Sequence, residues 1–592
     1  MTGRALKQAV QIRSFVAWTS RHDDARSIPT TQRTGSDGLL HFARGRIHVS
    51  YVPRAGSSAV TTSDLPELFL GDSGDIDPAD FLQNAASAVP IRYDAARDQL
   101  SVATSIVGMP TVFLYRDADV TAVTSDIHLL VRIPGVRLEL HPPSVLELAQ
   151  IGHPVEHRTL FRNLSIVESG ARLVLEADGR TQVTSSWQLP ETAPLTWQQF
   201  LEAQIAAFTR AVENISVEGT FLSLTAGLDT RTVFAALASQ RRLMPAATMS
   251  AAGQLSLDAM TARRLCDAYG VEHFVVTFAE DFRARLPQHI EDASLLSGGL
   301  ATLDQAPEVY LYRHLGTRFG ARLSGNLGNQ VGRGGTEGVS TRSANVAILT
   351  ERFTRSQPAQ DSHWLLSRLE DSQRGRLQFI LQNEIVFTLV GNFGIGNHFA
   401  TQKTPYANRH LIETLALRPV DRVGSPSSSK LRMRLRDLSH RFFGEPENRS
   451  FQRTLVRRID GFAAECPVNW GWRPSGGVSP AAFTRGVATL AGMYARAQGL
   501  DGKSMPGAGL LARLAKLHDF RDARRWLRVD LRDYVHDVLL SQDVRAADLF
   551  NQAVLQETLE GHFERGQDHH TTIVFALDVA LAHRTFAARA EA

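Results

Sequence analysis

From about residue 197 onward, helical patterns alternate with short apolar strands, and this alternation restricts the fold more than any other feature of the sequence. Such an order is typical of a parallel sheet covered by helices. The predicted helices span residues 198–216, 230–240, 257–269 and 305–319. The predicted strands span residues 219–224, 245–250, 273–278 and 320–324. Because sheets of this kind bind nucleotides at the carboxyl ends of their strands, the loops after these strands are candidate sites.

The first strand-to-helix junction has the composition of an anion site. It reads Phe221-Leu222-Ser223-Leu224-Thr225-Ala226-Gly227-Leu228-Asp229-Thr230-Arg231. Backbone N–H groups and the positive end of the helix dipole meet there, and small side chains allow a phosphate to approach. Asp229 is a candidate magnesium ligand, and the hydroxyls of Thr225 and Thr230 are candidate donors to phosphate oxygens. The alternative is an ordinary turn in which Asp229 only caps the helix.

A second glycine cluster follows the predicted strand 320–324. It reads Ser324-Gly325-Asn326-Leu327-Gly328-Asn329-Gln330-Val331-Gly332-Arg333-Gly334-Gly335. So many glycines indicate a backbone that packs closely against something or adopts positive φ angles. The alternative is a flexible surface loop, since glycine also marks plain loops.

Residues 1–190 are predicted to form a mostly β domain. Short β-branched and aromatic runs separated by Gly, Asp, Asn and Pro are typical of a sandwich of antiparallel sheets. The strands are expected at residues 14–18, 46–52, 111–115, 120–124 and 171–175, with helices near 77–88 and 143–151. Residues 182–196 contain several Ser, Thr and Pro and are predicted to link this domain to a second domain at 197–592.

The bulk composition excludes few classes of protein. The net charge of +3 is too small to argue for nucleic-acid binding. The two cysteines, Cys266 and Cys466, lie far apart, which indicates a reducing compartment without a disulfide framework. No apolar run reaches the length of a membrane span, and the N-terminus lacks a signal-peptide core. A soluble cytoplasmic protein with no membrane partner is therefore expected, and its oligomeric state stays open.

The motifs and their order resemble the asparagine synthetases and their relatives, the β-lactam synthetases and lasso-peptide cyclases. Leu224-Thr-Ala-Gly-Leu-Asp-Thr230 resembles the Leu-Ser-Gly-Gly-Leu-Asp-Ser pyrophosphate loop of that family. The second glycine cluster is similar to the family's Ser-Gly-(Glu/Asp)-Gly-x-Asp-Glu-x-x-Gly-Gly. Thr404-Pro-Tyr-Ala-Asn408 is similar to a later Pro-Phe-Leu-Asp element, and residues 112–135 to the end of the N-terminal glutaminase domain. The resemblance covers most of the chain.

The resemblance implies both a fold and a reaction. The fold is an α+β N-terminal domain, an Ntn-hydrolase-like β-sandwich of the class II glutamine amidotransferase type. It is followed by an α/β domain of the PP-loop ATP pyrophosphatase (adenine nucleotide α-hydrolase-like) type. Enzymes of the family use ATP and Mg²⁺ to adenylate a carboxylate, release pyrophosphate and let an amine attack to form an amide. Such a reaction builds negative charge that N–H groups, hydroxyls and a metal can stabilise.

The resemblance also assigns residues to this site. The implied pyrophosphate and metal positions are Thr225, Ala226, Gly227, Asp229 and Thr230, with Ser223 as a further candidate. Leu222, Met249 and Ser250 are implied near the adenosine. Gly325 and Asn326 are implied in the nucleotide site, and Asn329 falls on a metal-ligand aspartate of the family.

Three departures from the family pattern matter for function. No cysteine precedes Cys266, so the nucleophile of the glutaminase domain is missing and glutaminase activity is not expected. This departure resembles the β-lactam synthetase and lasso-peptide cyclase branch, in which the amine comes from the substrate or another donor. The second departure is that Asn326, Asn329 and Gln330 are neutral, and a neutral amide is a poorer magnesium ligand than a carboxylate.

The third departure is that the family's catalytic lysine has no clear counterpart. Arg473, between Trp472 and a glycine pair at 476–477, is a candidate for stabilising charge on a phosphate or acyl group. The alternative is an ordered surface arginine that stacks on an aromatic ring. The function predicted from the sequence is an ATP-dependent, AMP-forming amide ligase, with a peptide or small molecule as the carboxylate. A catalytically impaired nucleotide-binding scaffold is the alternative.

Overall fold

A computed structural model describes residues 10–20, 39–44, 46–54, 67–71, 87–253, 255–333, 344–355, 373–419, 450–469, 471–478 and 523–587, with isolated positions at 443, 480, 483, 484 and 487. These residues form a mixed α/β structure. One part is a large curled sheet of 11 strands, and the other contains a five-stranded sheet with helices around it.

The strands are labelled β1–β16 in chain order. In the curled sheet they are β1 (Val10–Ser20), β2 (Leu40–Arg44), β3 (Ile47–Pro53), β4 (Leu68–Gly71), β5 (Ala88–Asp94), β6 (Gln99–Ala103), β7 (Phe113–Arg116), β8 (Val120–Thr124), β9 (Leu164–Ile166), β10 (Ala171–Glu176) and β11 (Thr181–Ser185). In the second sheet they are β12 (Thr220–Ser223), β13 (Ala246–Ala251), β14 (His273–Phe278), β15 (Ala321–Leu323) and β16 (Thr401–Lys403).

The described α-helices are Ile127–Leu130, Pro142–Ile151, Trp197–Asn214, Leu228–Ser239, Leu257–Tyr269, Glu280–Ala284, Leu286–Ser297, Ala306–Leu315, Gly328–Arg333, Glu351–Thr354, Gln373–Phe379, Ile385–Phe399, Arg409–Glu413, Phe451–Ile459, Gly461–Glu465, Ala523–Arg525, Arg532–Leu539, Gln542–Ala546, Gln552–Phe563 and His570–Ala582. Wider π-helical turns occur at Ile380–Glu384, Trp526–Asp530 and His583–Ala587. Short 3₁₀ turns occur at Leu303–Gln305, Gly316–Arg318, Val346–Ile348, Pro405–Ala407 and Thr414–Leu417.

The curled sheet is organised around β1. The first residues of β1 pair in parallel with β4, and the rest of the strand pairs antiparallel with β3 and β8. The register shifts between Ile12 and Ser14, where the strand passes from one half of the sheet to the other. Side chains of both halves share one buried core. The five strands predicted from the sequence are confirmed, although the two halves of the expected sandwich join in one sheet and the β1–β4 pair is parallel.

The second sheet is fully parallel and has the order β14-β13-β12-β15-β16. The strand–helix alternation predicted this sheet, and the predicted elements between residues 198 and 324 are confirmed to within a few residues. The predicted helix 305–319 ends earlier, at Leu315, because Gly316 leaves the helical conformation with a positive φ. Strand β16 is not predicted from the sequence, since its three residues all have polar side chains and carry little strand signal.

The predicted linker 182–196 is only partly a linker. Its first residues complete β11, which pairs with β10 in register from Thr181 to Ser185. The rest is fixed to the second half of the chain. Trp187 and Leu189 are buried, and the Leu189 N–H donates to Gln378 Oε1 at 2.8 Å. The composition therefore identified a connection, but tertiary packing orders it.

Two further expectations concern helices. The helix predicted at 143–151 is confirmed as Pro142–Ile151, whereas residues 77–86 of the other predicted helix lie outside the described residues. No single helix in the described ranges is long and apolar enough to cross a membrane. One bent pair, Leu377–Glu384 with Leu389–Phe399, meets that test by length and composition only.

A buried histidine makes the stability of the fold depend on pH. His289 is 2% exposed and stacks on Phe282, with ring centroids 5.8 Å apart. Burial, with Arg313 nearby, lowers the pKa of His289 to about 4. The ordinary pKa of about 6.5 returns on unfolding, so the unfolded chain binds more protons between these values and stability falls as the pH falls.

We expect His289→Phe to flatten this dependence while keeping the aromatic contact. The loss of unfolding free energy between pH 7 and pH 5 should shrink by roughly 2 kcal/mol. Urea unfolding at both pH values measures this change in unfolding free energy. The control is His410→Gln, at an exposed position. An unchanged pH slope in the His289 variant would contradict the assignment.

Candidate nucleotide and anion site

The site lies where the strand order of the parallel sheet reverses. From β12 the chain first adds β13 and β14 on one side, and later β15 and β16 on the other. The loops after β12 and β15 therefore start from neighbouring strands at the carboxyl edge of the sheet, at the point where such sheets can form a crevice. In open α/β sheets this crevice is where ligands bind. Both glycine-containing motifs of the sequence follow these two strands.

The turn after β12 is held in shape by its own hydroxyls. Thr225 Oγ1 lies 2.9 Å from Thr230 Oγ1, and the Thr225 N–H donates to Thr230 Oγ1 at 3.2 Å. The Gly227 N–H donates to Thr225 Oγ1, and the Ala226 N–H donates to Asp258 Oδ1 at 2.9 Å. Helix Leu228–Ser239 starts directly after Gly227 without a side-chain cap, so its N-terminus has the polarity of an anion site.

The Asp229 carboxylate is therefore not the helix cap proposed as the ordinary alternative. Its Oδ1 accepts a hydrogen bond from Gln452 Nε2 at 2.7 Å. The same Nε2 lies 2.9 Å from the Tyr406 hydroxyl, which in turn donates to the Asp229 carbonyl at 3.1 Å. Gln452 is fully buried, and its Oε1 has no hydrogen-bond partner in the described structure. Buried polar atoms without partners are uncommon and cost free energy.

The second glycine loop packs directly on the first turn. A Cβ atom at Gly325 would lie 2.6 Å from the backbone nitrogen of Thr230, and one at Gly328 would lie 2.5 Å from Cγ of Asp229. Only glycine allows these approaches. Leu327, between them, has a φ of 70°. Through Val331 the loop is thus a buried partner of the turn and not a flexible surface loop, whereas Gly334 and Gly335 lie outside the described residues.

Arg231 fixes the turn from behind. Its guanidinium is 0% exposed and donates to the carbonyls of Ala226, Ala463, Cys466 and Pro467. Burial lowers the pKa of Arg231 to about 10, so the side chain stays charged at neutral pH. Because one of its acceptors belongs to the turn and three to residues 463–467, this arginine joins two distant segments at the site. Nothing in the local sequence around Arg231 indicates this role, since three of its acceptors lie more than 200 residues away.

The candidates around the adenosine position occupy different environments. Leu222 is 1% exposed and packs in the core beneath helix Leu228–Ser239. Ser223 accepts a hydrogen bond from Arg322 Nε at 2.7 Å. Met249 is half-buried near the carboxyl end of β13, and Ser250 accepts from the Ser256 N–H at 2.7 Å. The structure thus brings these residues to adjacent strand ends, with Leu222 and Ser223 on the two faces of β12.

Arg322 explains where the Ser223 hydroxyl points. Arg322 is buried and donates to Glu308 at 2.6 Å and to the Tyr312 hydroxyl at 3.0 Å. Burial alone lowers the pKa of a guanidinium, but Glu308 and Tyr312 raise the pKa of Arg322 above its ordinary value. The Ser223 side chain is therefore part of a charged network below the site.

Among the residues expected to bind a metal ion, only Asp229 has a carboxylate side chain. Asn326 is half-buried; its N–H donates to Ser324 Oγ and its carbonyl accepts from Thr404 Oγ1 at 2.8 Å. Asn329 is half-buried in the short helix that starts at Gly328, next to the Asp229 carboxyl group. Within the described ranges there is no group of three His, Cys, Asp or Glu side chains placed to hold a metal. Mg²⁺ is often bound by one or two carboxylates together with substrate phosphates and water, and Asp229 fits that limited role.

Arg473 lies in a surface ion pair. Its Nη1 is 3.3 Å from Glu465 Oε2, and both side chains are substantially exposed. The arginine that stacks on Trp472 is a different one, Arg453, at 5.5 Å. These contacts agree with the alternative of an ordered surface arginine. His569 and His570 sit at the start of the helix His570–Ala582, where His569 contacts Gln567.

Comparisons with known proteins do not assign this chain to a family. No protein-family model matches the chain, and no curated protein matches it. Among solved structures, one match is an NMN synthetase from Francisella tularensis, with 14% sequence identity and a TM-score of 0.17. The match covers 24% of this chain and 58% of that chain, so the chain spans less than two thirds of the matched structure. A similarity this low carries no argument about function.

We expect Gly325→Ala to destabilise the protein because its methyl group would meet the Thr230 backbone. The expected loss of unfolding free energy is about 1–3 kcal/mol. Gly320→Ala is the matched control, since nothing lies within 4 Å of its Cβ position. Chemical denaturation of both variants measures the difference. Equal stability of the two variants would contradict the close packing of the loops.

We expect Gln452→Glu to place a second carboxylate against Asp229 in a buried position. At pH 8 the unfolding free energy should fall by about 3 kcal/mol. The new pair has a raised pKa in the folded state, so the deficit should shrink toward pH 5, where one group is protonated. Gln452→Leu, which adds no charge, is the control. A deficit independent of pH in the glutamate variant would show that the two side chains do not meet.

Proposed function

We propose that this chain is an ATP-dependent, AMP-forming ligase that joins a substrate carboxylate to an amine. The observation that carries the proposal is the convergence of two strand-end loops on Asp229 and Thr230 where the strand order of the parallel sheet reverses. The N-terminal half would be a glutaminase-like sandwich that lacks its cysteine nucleophile. The second half would be a PP-loop domain. The proposed partners are a small-molecule or peptide carboxylate and an amine donor, without nucleic acid or membrane.

The residues of the turn suit the binding of a nucleoside triphosphate. Gly227 opens helix Leu228–Ser239 without a side-chain cap, which favours an anion at that helix end. The Thr225 and Thr230 hydroxyls lie together within the turn. When bound, Mg-ATP would supply an activated phosphoanhydride for the carboxylate. Thr225, Ala226, Gly227 and Thr230 would hold the pyrophosphate portion, and Asp229 would carry the metal.

The network around Asp229 would set the position of its carboxylate. Gln452 and Tyr406 fix the side chain and backbone of Asp229 from the side opposite solvent. Arg231 would keep the turn in its conformation by holding the Ala226 carbonyl. Leu222, Met249, Ser250, Gly325 and Asn326 would form the adjoining nucleotide surface at the strand ends.

A second candidate is a nucleotide-binding scaffold without catalysis. It is favoured by the neutral Asn329, which leaves Asp229 as the one carboxylate among the residues expected to bind metal, and by the hydrogen bond from Gln452 that already engages Asp229 Oδ1. Both candidates bind ATP, and they differ in whether pyrophosphate is released. Within the ligase class, a macrolactam-forming cyclase of the lasso-peptide or β-lactam synthetase kind would carry both reacting groups on one substrate.

We expect the protein, with ATP, Mg²⁺ and a panel of carboxylic acids, to exchange labelled pyrophosphate into ATP. Asp229→Ala should reduce this exchange at least about 100-fold, because the metal and the developing charge lose their anchor. Asp178→Ala, at an exposed ion pair on the β10–β11 turn, is the control and should exchange at the wild-type rate.

One outcome would count against the role of Asp229, and another would count against the ligase. Wild-type exchange in the Asp229 variant would remove this residue from the site. Absence of exchange across the panel, with ATP still bound in a direct binding measurement, would favour the scaffold.

A further inference from the structure

We propose that the cavity between the curled sheet and two helices of the second half binds a small organic carboxylate. The cavity has a volume of about 270 Å³. Its walls come from β1 and β7, from the start of helix Ile127–Leu130, and from helices Leu286–Ser297 and Ile385–Phe399. It is separate from the crevice at the ends of β12 and β15, and the proposal does not depend on ATP chemistry.

The cavity collects positive charge. Arg13, Arg132 and Arg313 line it, together with His128 and His398. A further guanidinium, that of Arg54, donates to the carbonyl of Asn397 in the cavity wall at 2.9 Å. Like charges held close together repel one another, and a bound anion relieves that repulsion. Guanidinium groups also match the planar, bidentate geometry of a carboxylate.

Part of this hydrogen-bonding capacity is unused. In the described structure, the buried Nε atoms of Arg13 and Arg54 have no hydrogen-bond partner. Burial and the Arg13 charge lower the pKa of Arg54 to about 10. Burial, with Arg13, Arg54, His128 and Arg313 around the ring, lowers the pKa of His398 to about 4. Part of each shift therefore comes from neighbouring cations, whose charge an anionic ligand would balance.

The acidic groups of the cavity are already engaged. Asp292 forms an ion pair with Arg313 at 2.7 Å, and Asp126 Oδ1 accepts the N–H of His128 at the start of a helix. An ammonium group would meet the three arginine side chains that line the same cavity, so the charge favours a carboxylate without an α-amino group.

Much of the rest of the wall is apolar and includes Phe113, Ile127, Leu295 and Phe399, although Ser14, Thr111, Ser125 and Ser297 also line it. A ligand with a charged head among the arginines and a short hydrocarbon body against these side chains would satisfy both parts of the wall. A volume of about 270 Å³ suits a molecule with on the order of ten heavy atoms.

Isothermal titration calorimetry without ATP tests the site, using hexanoate, phenylacetate, glutarate, glutamine, inorganic phosphate and the uncharged isostere hexanamide. We expect at least one of the three carboxylates to bind, and hexanamide and glutamine to bind at least 10-fold more weakly. Phosphate binding as tight as that of the best carboxylate would assign the site to phosphate instead and overturn the carboxylate proposal. Failure of all three carboxylates would also overturn it.

Variants of the cavity residues test whether the carboxylate binds in this cavity. Arg13→Gln should weaken the best carboxylate at least 10-fold, and Arg132→Gln, at an exposed position, should weaken it several-fold. Arg180→Gln, in a distant surface ion pair, is the control and should bind as the wild type. The melting temperature of ligand-free Arg13→Gln should not fall, because the variant removes a charge from a cationic cluster. Wild-type affinity in both cavity variants would overturn the assignment. Neither result depends on pyrophosphate exchange, so this proposal and the ligase can fail separately.

Discussion

The contact between the two strand-end loops is the constraint on which the candidate site depends. At Gly325 and Gly328 the loop after β15 approaches the start of helix Leu228–Ser239 so closely that an added Cβ atom would lie within 3 Å of its backbone or of the Asp229 carboxyl group. A side chain at either position would push the loops apart. The contact orders Asp229, whose carboxylate is then held by Gln452. Without it, the turn would be one more strand-to-helix connection on a parallel sheet.

Two buried arginines support this contact from different sides. Arg231 joins the Ala226 carbonyl to residues 463–467, and Arg322 joins Ser223 to Glu308 and Tyr312. Removing one partner of such a network leaves a buried charge or carbonyl without compensation, which costs more than the network gains. These arginines therefore act through the geometry of the turn, and neither needs to touch a ligand.

The cationic cavity and the crevice share structural elements. Phe399 at the end of the cavity stacks on Tyr312 with ring centroids 5.2 Å apart, and the Tyr312 hydroxyl accepts from Arg322, which holds Ser223. The helix that carries Phe399 leads directly into β16, next to β15 in the sheet. The two places are thus connected by packed side chains, although each has its own charge and its own ligand chemistry.

The sequence by itself determined the strand–helix order, the parallel sheet and the turn with Asp229, because periodicity and small residues act locally along the chain. The sequence also showed the glycines of the second loop, but it did not show that they allow this loop to pack against Asp229 and Thr230. Only the tertiary structure decided that Gln452 and Tyr406 hold Asp229, that Arg473 pairs with Glu465 on the surface, and that Arg13, Arg132 and Arg313 line one cavity. These partners lie up to hundreds of residues apart. No local pattern encodes such contacts, since they follow from how sheets and helices pack.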